Sequence, residues 1–144
     1  MTKAQQLLDY IASQEHAVIT YNASDMVLAA HSDAGYHNEA GARSRAGGYF
    51  FLSKNEEIPP NNGNILNVAQ IIRAVMSSAA EAELGALYIN AREAVSIRNI
   101  LEEIGHPQAP APIQIDNSTA ERVVNNAELT KNNSDSIGDL EPQI

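Results

Sequence analysis

The stretch that most limits the possible folds of this chain is Met26 to Ser32, MVLAAHS. Written as an extended strand, it places Met26, Leu28 and Ala30 on one face. Val27, Ala29 and His31 fall on the other face, with Asp33 next in that second row. A strand that is apolar on both faces belongs in the middle of a sheet covered on both sides. An aspartate at the end of such a strand is out of place as an ordinary solvated acid.

The segments around it supply the layers. Residues 2–14 put Leu7, Leu8 and Ile11 at helical spacing, with Thr2 as the N-cap. Ala17 to Tyr21 reads as a short strand, followed by a turn over Asn22 to Asp25. Residues 34–42 (AGYHNEAGA) are turn-rich, and Arg43 to Ser53 (RSRAGGYFFLS) reads as a strand hairpin-paired with the first. The adjacent Gly47 and Gly48 mark a close backbone approach; they lack the spacing of a phosphate-binding loop. After a loop at 56–63, the run Asn64 to Met76 fits a strand or a helix and is taken as a strand. Ser77-Ser78 starts a helix over AAEAELGALYIN, and a second helix spans 91–104, stopped by Gly105 and Pro107. A stiff linker (HPQAPAP) leads to a short strand, Ile113 to Ile115, then to Asp116 and a helix over 118–125. This order predicts an α/β fold. An antiparallel sheet is continued by a helical crossover into a parallel strand, with helices packed on it.

Length and charge bound the function. At 144 residues the chain is one domain with short appendages, expected as a leading helix and strand over 1–22, a domain over 23–127 and a mobile, removable tail over 128–144. The absence of cysteine excludes disulfides, thiolate metal sites and a cysteine nucleophile. Nine Lys and Arg against 18 Asp and Glu leave a net charge of −9, which argues against a free-standing nucleic-acid binder. An enzyme that meets nucleic acid through bound divalent ions, or beside a basic neighbour domain, is still compatible with that charge. The first ten residues lack the pattern of a signal peptide and no apolar run is long enough for a membrane helix, so an intracellular location and no membrane partner are expected.

Three acids carry the candidate chemistry. Asp33 ends the two-faced strand, Asp116 ends the last short strand, and Glu83 has Ala79, Ala80, Ala86 and Leu87 three and four residues away on its helix. Each also has an ordinary structural reading. Asp33 can form a strand-end turn, Asp116 can cap the following helix, and periodicity alone lets Glu81 replace Glu83 as the inward acid. If the first and last strands are neighbours, Asp33 and Asp116 meet at their carboxyl ends, the usual ligand position in such sheets. Converging carboxylates without His, Lys or Cys companions suit Mg²⁺ or Mn²⁺, and two such ions about 4 Å apart form the clamp used in phosphodiester hydrolysis. His31 fits either a supporting role beside Asp33 or a packed core position. Arg43 and Arg45 alternate on one strand face, where they could touch phosphate or simply be solvated. His16, His37 and His106 fall in predicted loops without ligand spacing, and no Walker loop, GxSxG or HExxH occurs.

In this order the pieces resemble the RNase H domain of Copia-type retrotransposon polyproteins. AQQLLDYIASQEHAVITY is similar to the helix and strand leading into that domain, and HSDAGY to its first catalytic strand. ARSRAGGYFFL, MSSAAEAELGAL and IQIDNSTA resemble its next hairpin strand, its acidic helix and its third carboxylate-bearing strand end. Over residues 4–125 the resemblance implies an RNase H-like mixed sheet and a two-metal nuclease that cuts the RNA strand of RNA–DNA hybrids. It implies that Asp33 bridges two Mg²⁺ or Mn²⁺ ions, with Glu83, chosen over Glu81, and Asp116 completing the ligand set. Ser77, Ser78 and Asn117 become candidates for contact with the hybrid. The implied partner is the reverse transcriptase domain of the same polyprotein, in a cytoplasmic particle or the nucleus.

The family continues with a basic stretch, another strand and a helix carrying a fourth carboxylate. The Asn-rich residues 126–144 match none of this, and Asp135 and Asp139 lack the motif. The last strand and helix are therefore expected to be missing, which leaves a sheet edge open to self-association. The alternative function is a catalytically silent remnant that serves as a binding or structural module.

Overall fold

The two-faced strand becomes the interior of a four-stranded mixed sheet in the computed structural model, which describes residues 2–126. The expected tail over 128–144, with Asp135 and Asp139, lies outside these residues. The elements are α1 (Lys3–Ala12), β1 (Val27–Glu39), β2 (Arg43–Ser53), β3 (Asn64–Ile71), α2 (Ala79–Glu103) and β4 (Ile113–Gln114), and residues 118–126 are helical. The sheet order is β3-β2-β1-β4. β1–β2 and β2–β3 pair antiparallel and β4 joins β1 in parallel, the topology expected of an α/β fold with one helical crossover. Among the described residues, no helix is long and apolar enough to cross a membrane.

Both faces of β1 are covered. Leu28 and Ala30 face α2 and form a buried cluster with Phe50, Ala94 and Leu101, extended by a second cluster of Ala46, Ile72 and Ala86. The alternate residues build the other face, where His31 stacks on Phe51 with ring centroids 5.3 Å apart. The 54–63 loop closes over it. His31 Nε2 lies 2.7 Å from Asn61 Oδ1, and the Tyr49 hydroxyl donates to the Asn62 carbonyl at 2.6 Å. His31 is thus a packed, half-buried residue.

Several expectations are corrected. Ala17 to Tyr21 forms no strand: it joins no sheet, its Ala17 N–H turns back to the Gln14 carbonyl at 3.0 Å, Val18 is 81% exposed, and the Tyr21 hydroxyl donates to the Asn64 carbonyl at 3.0 Å. The turn expected over 34–42 shrinks to residues 40–42, because β1 stays paired with β2 out to Glu39↔Arg43 through an irregularity between Gly35 and Glu39. His37, at φ 50°, sits within that irregularity. Asp33 is therefore inside the strand, not at its end. The strand expected over 64–76 stops at Ile71.

The two helices expected over 79–90 and 91–104 are one continuous helix. Their supposed junction at Asn90 faces the sheet and is buried, so the polar residue there is not a break. The helix ends as expected, with Gly105 taking the left-handed φ of 95° just beyond the Ile104 cap. α1 carries the expected Thr2 N-cap, which with Gln5 forms a capping box, but buries none of its residues.

Candidate metal centre

The parallel pairing of β1 with β4 matches Ala30 to Ile113 and His31 to Gln114. Carried two residues further, that register sets Asp33 level with Asp116. Asp33, Ser32 and His31 line one wall of a cleft of about 300 Å³, and Gln114, Ile115 and Asp116 line the other. The third acid comes from α2. The Ser78 hydroxyl accepts the Glu81 N–H at 3.1 Å and starts the helix, which places Glu83 in its second turn, facing the sheet. One carboxylate oxygen from each of Asp33, Glu83 and Asp116 lies within 4.8 Å of the other two.

Asp33 and Asp116 are both exposed and so are solvated acids in the structure, while the alternative readings of Glu83 and Asp116 meet geometric answers. Glu81 is exposed and turned back on its own helix start, its Oε2 accepting from the Ser77 N–H at 2.6 Å and hydroxyl at 2.5 Å. Glu83 is 6% exposed. Asp116 does not cap the helical residues 118–126; the Asn117 side chain does, accepting from the Thr119 and Ala120 N–H groups at 3.0 and 3.1 Å. Among the candidates for substrate contact, Ser77, Ser78 and Asn117 thus all hold helix starts.

Glu83 is the electrostatic oddity. Its Oε1 accepts the Ala34 N–H at 3.2 Å, while its Oε2 is buried without a hydrogen-bond partner. Burial pushes its carboxyl above the ordinary carboxylate value; the Ala34 N–H opposes the shift, and Asp33 and Asp116 add to it. A folded-state value above the unfolded one favours stability at acid pH, and that contribution is lost as pH rises through the folded value. In chelator at pH 7, Glu83→Gln is therefore expected to raise the melting midpoint, and the gain should vanish near pH 4. Thermal unfolding at the two pH values checks this. A lower midpoint for the variant at pH 7 would contradict the electrostatic picture.

An orphaned, buried carboxylate oxygen beside two further carboxylates is an all-oxygen donor set, of the kind that suits a hard divalent cation. Among the described residues no other cluster of three His, Asp or Glu side chains comes together, so His16, His37 and His106 belong to no ligand set. Arg45 is engaged too, paired with Glu39 at 2.6 Å and donating to the Ala69 carbonyl at 3.0 Å. Arg43 donates to the Ala40 carbonyl at 3.0 Å. A second cavity of about 350 Å³, lined by Asn22, Ser24, Ser53, Lys54 and Asn62 among others, is less promising. The Asn62 amide there is spent on the Asn22 and Leu52 carbonyls.

Compared with protein-family models, curated proteins and solved structures, the chain matches none. Two groups at the site escaped the sequence reading. The Ala34 N–H that holds Glu83 carries no sequence signal. Asn90 does: it is a carboxamide seven residues after Glu83, on the same face of a helix rich in small apolar residues.

Proposed function

We propose that Asp33, Glu83 and Asp116 hold divalent ions, Mg²⁺ or Mn²⁺, and that the domain is an RNase H-type nuclease acting on the RNA strand of RNA–DNA hybrids. The observation that carries the reading is the buried, unpartnered Oε2 of Glu83 beside two further carboxylates. Leaving such an oxygen without a counter-charge is costly, and a cation removes the cost. The strand order β3-β2-β1-β4, with one acid from β1, one from α2 and one directly after β4, supports the Copia RNase H resemblance. Bound ions of this class supply an activated water and stabilise the leaving 3′ oxygen.

The chain's own residues do the holding. Asp33 sits between the other two elements and is the acid suited to be shared between two ions. The Ala34 N–H and the wall of α2 fix Glu83. Asn117, next to Asp116, and Ser77 and Ser78 at the start of α2 are the proposed contacts to the hybrid. With a net charge of −9, productive binding would draw on the ions and on a neighbouring reverse transcriptase domain of the same polyprotein.

The test is cleavage of a labelled RNA–DNA hybrid in Mn²⁺. Removing a ligand to an ion that contributes several kcal/mol predicts a loss of at least about a hundredfold in Asp33→Asn and in Glu83→Gln. Cleavage unchanged by either variant would overturn the assignment. A second reading is favoured by one observation: the cluster holds three carboxylates and no fourth among the described residues. On that reading the domain binds metal without cutting, and a folded, metal-binding protein without cleavage would select it.

A further inference from the structure

We infer that Asn90 is a positioning residue for the carboxylate cluster, locking α2 onto the sheet in the register that brings Glu83 to Asp33. The inference rests on the metal-site reading above. Asn90 is fully buried, two helical turns from Glu83 and on the same helix face. Its Nδ2 donates to the Ser32 hydroxyl and to the Gly47 carbonyl, both at 2.8 Å. Ser32 directly precedes Asp33, and Gly47 is the residue opposite Asp33 on β2. One carboxamide on the helix that bears Glu83 therefore grips the residue before Asp33 and the residue opposite it.

The surroundings are shaped to admit it. A Cβ at Gly48 would overlap the Asn90 carboxamide oxygen and crowd the Phe50 ring. That oxygen is itself buried without a partner, a condition that costs about 1–3 kcal/mol. Apolar side chains at positions 90 and 32 together would avoid the cost in this core of Leu28, Phe50 and Ala94, so helix packing alone gives no reason for an asparagine bonded to a serine. What the carboxamide adds is direction. Apolar contacts tolerate small slides and rotations of a helix, whereas two directed hydrogen bonds specify one seating. Carboxylates that share an ion must be held to within about half an ångström, and supporting hydrogen bonds typically change metal affinity by about 10–100-fold.

Mn²⁺ binding to the full chain, read from the electron paramagnetic resonance signal of the free ion well below the melting midpoint, tests this. Asn90→Leu is expected to fold cooperatively and to bind Mn²⁺ at least about tenfold more weakly. Gly48→Ala keeps the carboxamide but displaces it, and should weaken binding comparably. The double variant should lose little more than either single one. A purely structural role would move the melting midpoint and leave the dissociation constant alone. Wild-type affinity in Asn90→Leu overturns the inference. If that variant does not fold, wild-type affinity in both Gly48→Ala and Ser32→Ala does so instead. A wild-type chain that binds no Mn²⁺, or an Asp33→Asn variant that binds it normally, overturns the metal reading and this inference together. Binding that is lost in Asp33→Asn but intact in Asn90→Leu overturns only the inference.

Discussion

Mn²⁺ at a hundred times its dissociation constant is expected to raise the melting midpoint of this protein by on the order of 10 °C, and Asp33→Asn is expected to abolish the rise. A ligand that binds only the folded state contributes RT ln(1 + [L]/Kd), about 2.7 kcal/mol at that concentration. For a domain of this size each kcal/mol moves the midpoint by a few degrees. Removing Asp33 takes one of three carboxylates from the cluster, and it also relieves repulsion on Glu83. The variant should therefore melt no lower than wild type in chelator, yet gain nothing from the ion. Differential scanning calorimetry with and without Mn²⁺ reads both effects. A rise of equal size in wild type and variant would mean that the ion acts elsewhere on this acidic chain.

The second large effect concerns the core that seats the cluster. Phe50→Ala is expected to destabilise the fold by about 3–5 kcal/mol, toward the upper end of that range. Phe50 is fully buried against Leu28, Ala30, Ala94 and Leu101, and two of those neighbours are alanines with no reach to refill the space. Domain stabilities of about 5–15 kcal/mol make this a large fraction of the whole. Urea unfolding should show a much lower midpoint with an unchanged slope. A loss below about 1 kcal/mol would mean that α2 does not pack on this face of the sheet as described.

What the sequence made legible follows from how local each signal is. The two-faced run at 26–32 announced a covered strand because alternation is a property of neighbouring residues. The caps at Thr2 and Ser78 and the stop at Gly105 were readable for the same reason. The errors lie where tertiary structure overrules local preference. Residues 17–21 have strand-like side chains but no pairing partner, so they stay irregular. Residues 34–39 are turn-like in composition, yet β2 pairs with Ala34, Gly35 and Glu39 across an irregularity, with Arg45 bound to Glu39. The expected division of α2 after residue 90 fails because the two acceptors that hold Asn90 against the sheet sit 58 and 43 residues away in sequence. At the site, the sequence order made Asp33 and Asp116 legible as acids on neighbouring strands, but the expectation that neither is an ordinary solvated acid fails, since both are exposed and only Glu83 is buried. The decision between Glu81 and Glu83 needed either the family resemblance or the Ser77 contacts that turn Glu81 aside.

β4 contributes only Ile113 and Gln114 to the sheet, and Asp116 hangs two residues beyond them. So short a pairing opens far more often than the interior of β1 and β2. Whenever it opens, the third acid leaves. The apparent affinity of the cluster for any ion is then its intrinsic affinity multiplied by the fraction of time that this edge is docked. Conversely, an ion held by all three acids slows the fraying of the edge. If the three acids hold an ion, the amide hydrogens of β4 are expected to gauge its occupancy, their exchange with solvent slowing in step with metal concentration while those of β2 hardly change.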